Sequence, residues 1–230
     1  ILETAVPGIC FNPDRSPRQT HRPDGVNLND IIDDKINFRH SEKLNKTLDW
    51  LKSQTVYKTK SDLNTCVNGI SIGLGGIHGG VHKKTIRSDD LHTVLDLDVS
   101  SYYPSIAIEC GFYPEHLGPL FIEIYKKLRT ERLKYPKNTA ENKSLKLALN
   151  GVYGDSNNIY SPFYDPQYML SVTINGQLFL AMLMERLLYQ ISDCELIQIN
   201  TDGLTIRFPT FQRTRINQLC RSWEKHTGLD

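Results

Sequence analysis

The stretch VLDLDVSSYYPS, residues 94–105, decides the fold of this sequence. An apolar run that contains Asp96 leads to Asp98, and serines, tyrosines and a proline follow. An apolar run bounded by turn-forming residues is typical of a strand in a protein core, so the sequence predicts a buried strand over 92–99. A strand with a purely structural role has no need to end on a carboxylate and an aromatic turn.

The segments on either side of this strand predict an α+β fold. The alternating, glycine-rich segment 69–86 predicts a bent hairpin before the strand. Short strands at 195–200 and 204–208, separated by Thr-Asp-Gly, predict a second hairpin with an Asp-Gly turn. Helical periodicity covers about 41–53, 105–109, 117–135, 139–153, 168–191 and 210–226. Ser41 is predicted to cap the first helix, and the long helix 168–191 is predicted to be amphipathic. An antiparallel sheet with helices packed on one face accommodates this order.

The composition is that of an ordinary globular protein, with 39% apolar and 23% charged residues. No apolar run approaches the roughly 20 residues of a membrane-spanning helix, and the first residues lack the pattern of a signal peptide. We therefore expect no membrane partner and a cytoplasmic location. The five cysteines are scattered without a Cys-x-x-Cys pair, which favours free thiols over disulfides or zinc. Because position 1 is Ile rather than Met, we expect a piece of a longer chain.

Charge is concentrated in one segment although the net charge is only +1. Residues 122–146 carry eight basic and three acidic side chains, a net charge of +5. This segment is either a solvated helix face or a surface that faces phosphates.

Asp98 and Asp202 are the candidate metal ligands. Asp98 ends one strand and Asp202 lies in a turn, so neighbouring strands would bring both carboxylates to one edge of the sheet. Two close carboxylates repel unless a cation lies between them, and a small set of hard oxygen ligands suits Mg²⁺. Two such ions activate an attacking oxygen and stabilise a leaving one. The alternative is that Asp202 only forms a hairpin turn.

A second candidate is the segment KLALNGVYG, residues 146–154. Its Lys146, Asn150 and Tyr153 share one face of the predicted helix, and Gly154 is predicted to end that helix. A cation, an amide and a phenol on one face suit a charged ligand that contains a ring. The alternative is a solvent-facing stripe.

A third candidate is the glycine-rich segment GLGGIHGG, residues 73–80. Glycines allow the backbone to approach either a phosphate strand or another strand of the protein closely. The segment does not match the dinucleotide-binding glycine pattern, because no helix follows it.

In order and spacing, these segments resemble the family B DNA polymerases, particularly the bacteriophage branch that includes protein-primed enzymes. The stretch DVSSYYPS (98–105) resembles motif A, and KLALNGVYG (146–154) resembles motif B. NTDG (200–203) lies where motif C belongs, and GLGG (73–76) resembles the Tyr-x-Gly-Gly element that precedes motif A. The resemblance covers roughly residues 70–210.

The resemblance implies an antiparallel-sheet palm with packed helices and a short helical-hairpin fingers insertion. It assigns 1–68 to an N-terminal arm or connector with one helix. It assigns 69–115 and 154–230 to the palm, and 116–153 to the fingers.

Roles for individual residues follow from the same resemblance. Asp98 and Asp202 would be the catalytic residues and would bind two Mg²⁺ ions, with Mn²⁺ as an alternative and the Val99 carbonyl as a further ligand. Tyr103 would pack under the sugar and exclude a 2′-hydroxyl. The implied nucleotide-binding residues are Ser100, Ser101, Tyr102, Tyr103, Arg132, Lys146 and Asn150, with Arg129 as the alternative to Arg132. The implied DNA-binding residues are Gly75, Gly76, Tyr153 and Gly154.

The sequence departs from the family pattern at four positions. Asn200 replaces the first aspartate of motif C, Gly151 and Gly203 replace serines, and Gly73 replaces a tyrosine. Exonuclease motifs and a thumb are not found. The expected partners are therefore primer–template DNA, a deoxynucleoside triphosphate (dNTP), and separate exonuclease and thumb segments or a terminal protein.

The leading hypothesis is a template-directed DNA polymerase palm and fingers that adds deoxynucleotides to a primer 3′-hydroxyl. The host cytoplasm of a bacteriophage is its expected location. One alternative is a non-catalytic nucleic-acid-binding part of a split or degenerate polymerase. Another is a palm that uses RNA as template or product, against which Tyr103 argues.

Overall fold

The structure, a computed structural model, describes residues 1–20, 25–57 and 63–230. It combines helices with antiparallel strands, which confirms the predicted α+β class. Two stretches of the predicted 1–68 arm, 21–24 and 58–62, lie outside the described residues.

The chain forms two compact units, each built from two segments. The helical unit comprises Ile1–Val26 and Tyr103–Val172, and the sheet unit comprises Asn27–Tyr102 and Thr173–Asp230. The division into arm, palm and fingers stays a prediction.

The strands and helices alternate in blocks along the chain. The strands are β1 (Gly25–Asn27), β2 (Thr55–Tyr57), β3 (Asn64–Val67), β4 (Ile70–Gly73), β5 (His78–Gly80), β6 (His92–Asp98), β7 (Glu195–Asn200) and β8 (Gly203–Pro209). The helices are α1 (Leu2–Ala5), α2 (Glu42–Lys52), α3 (Tyr102–Cys110), α4 (Leu120–Leu133), α5 (Ala140–Asp155), α6 (Pro166–Gln190) and α7 (Arg213–Thr227). Within this described part of the chain, no helix has both the length and the apolar character to cross a membrane.

A six-stranded antiparallel sheet organises the sheet unit, in the order β3-β4-β5-β7-β8-β6. One face is buried, with Ile199, Leu204, Ile206 and Phe208 at most 1% exposed. The other face carries polar side chains at the alternate positions of the same strands.

The structure confirms the predicted strand, which spans His92–Asp98, but the prediction that this strand is buried was wrong. β6 is an edge strand, its Asp96 and Asp98 are exposed, and only Val99, which follows it, is buried. The run looked continuous in sequence, but successive side chains of a strand point to opposite faces. The apolar side chains of the run are therefore only half-buried, and the carboxylates lie on the open face.

Helix α2 was predicted to within a residue at each end. The Ser41 hydroxyl accepts a hydrogen bond from the Leu44 N–H at 3.3 Å and caps the helix, and the leucines at helical spacing are buried. Other helix ends differed from the prediction. Helix α3 begins at Tyr102, because Pro104 is tolerated in a first helical turn. Helix α5 continues through Gly154 to Asp155.

Helix α6 is buried all round rather than amphipathic. It starts at Pro166, where the Asp165 carboxylate accepts the Gln167 and Tyr168 N–H groups at 3.0 and 3.1 Å. Every residue from Leu170 to Leu187 is buried. The polar side chains in this stretch looked solvent-facing in sequence, but several bind backbone groups of other segments in the interior.

In the helical unit, α4 and α5 form a helical hairpin. The buried Tyr125 hydroxyl donates to the Leu149 carbonyl at 2.5 Å, which ties the two helices together. At the open end of the hairpin, Asn142 donates to the backbone carbonyls of Arg132 and Tyr135 at 3.2 and 2.8 Å. These bonds hold the connection between the helices in place.

Candidate active site

Asp98 and Asp202 meet at the tips of neighbouring strands. Asp98 pairs with Gly203 across β6 and β8, so it lies beside the residue that follows Asp202. The backbone confirms this proximity, because the Val99 N–H donates to the Asp202 carbonyl at 3.0 Å. Both side chains belong to the sheet unit and line one open cavity of about 240 Å³. The structure thus brings together the two carboxylates that the sequence singled out.

The cavity lies on the polar face of the sheet, where paired residues form rows across the strands. His78, Asn200, Gly203 and Asp98 form one row, because directly paired residues in antiparallel strands share a face. Their side chains are exposed, except that Gly203 has none. The missing side chain leaves a gap between Asn200 and Asp98 in the middle of the row.

Gly203 is required by the backbone that surrounds it. A Cβ atom at this position would lie 2.6 Å from the Leu97 carbonyl oxygen, closer than real contacts allow. The serine that the family pattern has here would therefore force β6 and β8 apart.

Both carboxylates are next to unusual backbone conformations. Thr201, which precedes Asp202, has φ +47°, and Ser101, three residues after Asp98, has φ +49°. Non-glycine residues in the left-handed region are uncommon, and strained backbone clusters at functional sites. The predicted Asp-Gly turn is therefore a turn with Thr201 and Asp202 at its centre, and Gly203 already belongs to β8.

The donor set at this site fits Mg²⁺. Two carboxylates, the nearby backbone carbonyls and the Asn200 side-chain amide supply hard oxygens, and Mg²⁺ typically binds one or two carboxylates together with substrate phosphates. Within residues 1–20, 25–57 and 63–230, no group of three or more His, Cys, Asp or Glu side chains could hold a metal. Asp96 lies in the next row and accepts a hydrogen bond from the Thr205 hydroxyl at 2.7 Å, so it has a structural partner.

The motif A turn is tied to its surroundings by hydrogen bonds. The Ser100 N–H, expected to face a triphosphate, donates to the Asp230 backbone oxygen at 2.6 Å. A nucleotide would have to displace that contact. The buried Tyr102 donates its hydroxyl to the Gly176 carbonyl of α6 at 2.5 Å. This bond anchors the start of α3, close in sequence to Asp98.

The helical unit holds the remaining candidate nucleotide ligands. The rings of Tyr103 and Tyr153 stack with centroids 4.3 Å apart, which joins the aromatic residues of the motif A and motif B segments. Lys146 and Asn150 are exposed on α5, and their i, i+4 spacing places them on the helix face that also carries Tyr153. The lysine, the amide and the aromatic pair are thus available at one surface of this unit.

The two candidate arginines of α4 differ in their surroundings. The Arg132 Nε donates to the Asn142 side-chain oxygen at 3.3 Å, so this guanidinium has a protein partner. The Arg129 Nε is buried and has no hydrogen-bond partner among the described residues. A buried donor without a partner costs free energy, whereas the Arg132 Nε is satisfied within the protein. The family resemblance favoured Arg132, with Arg129 as the alternative.

The glycines of the candidate segments differ in how much space surrounds the position of an added Cβ atom. At Gly73, Gly79 and Gly80, an added Cβ would lie 2.6 to 2.8 Å from a neighbouring carbonyl oxygen, so these positions serve the close packing of strands. At Gly75 and Gly154, nothing lies within 4 Å of that position. Open space at Gly75 is compatible with the expected DNA contact, whereas the strand-packing alternative accounts for the other three.

Sequence reasoning missed two residues near the site, His78 and Gln177. His78 shares the row of Asn200 and Asp98, and only the pairing of β5 with β7 brings it there. Gln177 lies on α6 and binds the glycine segment. Gln177 lies outside the candidate segments, and His78 lies within the glycine-rich candidate segment 73–80, where only the glycines indicated a role. Long-range pairing was therefore needed to find both residues.

No protein-family model matches this sequence, and no curated protein matches it. Among solved structures, the chain is similar to the family B DNA polymerase from the hyperthermophilic archaeon Pyrobaculum calidifontis, with 18% identity and a TM-score of 0.41. The match covers 66% of this chain and 26% of that polymerase. The chain thus spans about a quarter of the length of that protein.

Proposed function

We propose that this chain is the palm and fingers region of a template-directed DNA polymerase of the family B, bacteriophage type. The observation that carries the proposal is the convergence of Asp98 and Asp202 on one open polar cavity at the strand tips. Its substrates are primer–template DNA and a dNTP. Exonuclease and thumb segments or a terminal protein are the further partners we propose, and the cytoplasm of the bacteriophage host is its proposed location.

In this reaction the primer 3′-oxygen attacks the α-phosphorus of the dNTP, and pyrophosphate leaves. Bound Mg²⁺, or Mn²⁺ in its place, would lower the charge on the reacting oxygens. Asp98, Asp202 and the Val99 carbonyl would hold the ions. The carboxylates occupy fixed positions because the hairpin turn and the β6 terminus are bonded to each other, so little reorganisation is needed.

The nucleotide is held by cationic and polar side chains of the helical unit. Lys146 and an arginine of α4 neutralise charge on the leaving phosphates, and Asn150 covers the triphosphate. Ser100, Ser101 and Tyr102 form the turn that would face the triphosphate. Gly75, Gly76, Tyr153 and Gly154 would contact the DNA.

Primer extension tests this function. Asp98→Asn and Asp202→Asn should each reduce the extension rate by at least about a thousandfold, because each removes a charge on which the ions depend. The matched control is Asp193→Asn, which removes a carboxylate from the turn before β7, at the other end of the same hairpin. Undiminished extension by either site variant, with the control also active, would refute the assignment.

A second candidate function is a non-catalytic nucleic-acid-binding module. Asn200 favours it, because the row beside Asp98 carries a neutral amide where the family pattern has a carboxylate. Mg²⁺-dependent dNTP binding separates the two candidates. The polymerase requires dNTP affinity to rise with Mg²⁺ and to fall in Asp98→Asn. Affinity that ignores both changes supports the binding module.

A further inference from the structure

A buried amide on α6 holds the glycine segment that leads to β5. Gln177 is only 2% exposed. Its Oε1 accepts the Gly73 N–H at 2.9 Å, and its Nε2 donates to the carbonyls of Gly73 and Gly75 at 2.7 and 3.1 Å. The Nε2 also lies 3.2 Å from the Thr173 carbonyl within its own helix. The side chain offers Gly73 one donor and one acceptor, as a neighbouring strand would.

The segment held by Gln177 also contacts the turn that carries Asp202. The Ile77 carbonyl accepts the Thr201 N–H at 3.1 Å, and the Ile77 side chain is completely buried. Gly76 packs against the same turn, because a Cβ at this position would lie 3.4 Å from the Thr201 hydroxyl. Gln177 and the Asp202 turn are therefore linked through five consecutive residues of backbone, Gly73 to Ile77.

The turn depends on such support. Thr201 is held at φ +47°, a strained conformation for a non-glycine residue that persists only when neighbouring groups enforce it. The Ile77 carbonyl supports the turn on the β5 side, and the Val99 N–H supports it on the β6 side. Loss of the first support would leave the Asp202 carboxylate held from one side only.

We propose that Gln177 is a positioning residue that fixes the Asp202 turn through the Gly73–Ile77 backbone. The consequence for metal use rests on the proposed polymerase function, in which Asp202 binds the ions. The connection between Gln177 and the Asp202 turn does not rest on that function, because it consists of hydrogen bonds and packing within the sheet unit. Asp202 would thus be placed by a residue that touches neither metal nor substrate.

The chain offers a matched control two residues earlier on the same helix. Asn175 is also completely buried and brackets a different backbone segment: it accepts the Asp33 N–H and donates to the Ile31 carbonyl, both at 2.7 Å. Gln177→Met and Asn175→Leu each remove one buried side-chain amide and its hydrogen bonds to the backbone of another segment. A purely structural role for Gln177 would make the two variants behave alike at the Asp202 turn.

The first measurement is amide hydrogen exchange on the full chain. Gln177→Met should speed exchange at Thr201 by about tenfold or more, whereas Asn175→Leu should leave Thr201 unchanged. Gln177→Glu provides a second variant if the methionine variant does not fold, because it keeps the acceptor for Gly73 and loses the donor to Gly73 and Gly75. Equal Thr201 exchange in the wild type and in the folded Gln177 variant overturns the proposal.

The second measurement is the Mg²⁺ concentration that gives half-maximal primer extension. Gln177→Met should raise it by about tenfold, and Asn175→Leu should change it by less than about twofold. An active wild type with the same Mg²⁺ requirement in both variants overturns the role in metal placement. If the wild type does not extend primers, the proposed function fails, and Thr201 exchange still decides whether Gln177 positions the turn.

Discussion

At the scale of single residues, the site is shaped as much by a missing side chain as by the carboxylates. Gly203 lies between Asn200 and Asp98 in one row, and its hydrogen atoms leave room for the Leu97 carbonyl. A glycine between two polar side chains lets the strands lie close while the polar face stays open. The sequence alone indicated only a departure from the family pattern at this position.

Gly203→Ala should lower the free energy of unfolding by about 1–3 kcal/mol, because the new Cβ would overlap the Leu97 carbonyl oxygen and force the strands apart. Urea denaturation measures the loss. Gly151→Ala is the matched control, because nothing lies within 4 Å of its Cβ position and alanine favours the helix. Equal stability of the two alanine variants would contradict the close packing described here.

Tyr103 supports a prediction on sugar selection. Its ring stacks on Tyr153, so the aromatic pair has a fixed orientation. If Tyr103 excludes a 2′-hydroxyl as proposed, Tyr103→Ala should increase ribonucleotide incorporation relative to deoxynucleotide incorporation by about tenfold or more. Tyr103→Phe keeps the ring and should retain the selection. Unchanged discrimination in the alanine variant would remove this role and favour the RNA-using alternative.

At the scale of secondary-structure elements, α6 organises the sheet unit through its buried polar side chains. Asn175, Gln177 and Glu185 each bind the backbone of a different segment. Burial of such groups is favourable only when their hydrogen bonds are satisfied. The helix therefore defines where these loops lie, which a helix with an apolar surface could not do as specifically.

Glu185 is the clearest case of a buried polar side chain of α6 that binds the backbone of another segment, and it supports a prediction on stability. Its carboxylate is 1% exposed and accepts the N–H groups of Arg39, His40 and Ser41 at 3.0, 2.9 and 2.8 Å, just before α2. Glu185→Gln places an N–H₂ group against these donors and should cost about 1–3 kcal/mol of unfolding free energy.

The control for Glu185 is the same substitution at an exposed pair. Glu42→Gln removes only the contact with Lys46 at 2.6 Å on the surface of α2, and it should change stability by less than about 1 kcal/mol. Chemical denaturation of both variants checks the difference. A loss at Glu42 as large as that at Glu185 would argue against the buried capping role.

Elements with local signals were predictable from the sequence, and elements defined by long-range pairing were not. The Ser41 cap and its leucine spacing identified α2, and the Asp-Gly dipeptide identified the β7–β8 hairpin, because caps and turns are chosen by nearby residues. The position of β6 at an edge depends on which strand pairs with it. The same holds for the placement of His78, since β5 pairs with a strand over a hundred residues away.

At the scale of the whole molecule, the polar face of the sheet has two ends with different chemistry. One end carries Asp98 and Asp202. At the other end, the His92 imidazole lies 3.0 Å from the Asp193 carboxylate and 3.2 Å from that of Asp89. Arg207 donates to Asp89 at 2.9 Å, so this end is a network of charges that joins β6, β8 and the turn before β7.

This network makes the stability of the molecule depend on pH. The Asp193 carboxylate, followed by Asp89, raises the pKa of His92 above its ordinary value of 6.5, and the Arg207 guanidinium holds the pKa of Asp89 well below its usual range. A raised histidine pKa contributes stability that is present below about pH 6.5 and is lost as the pH rises through the folded-state value.

The free energy of unfolding should therefore fall in the wild type as the pH rises from about 6 through the raised folded-state pKa of His92, and it should fall less in His92→Gln. His82→Gln, at an exposed position, should keep the wild-type slope. Chemical denaturation over this pH range checks the effect. If the unfolding free energy of His92→Gln changed with pH as much as that of the wild type, protonation of His92 would not contribute to the stability of the sheet.

β6 also exposes the sheet to self-association, because no described strand pairs with its outer edge. An unpaired edge is a template on which a second molecule can add a strand. The carboxylates of Asp96 and Asp98 oppose this addition, since two molecules that met edge to edge would juxtapose like charges. If both side chains were neutralised, a second molecule could add a strand along β6 without this repulsion. The charges of the candidate site therefore also oppose self-association.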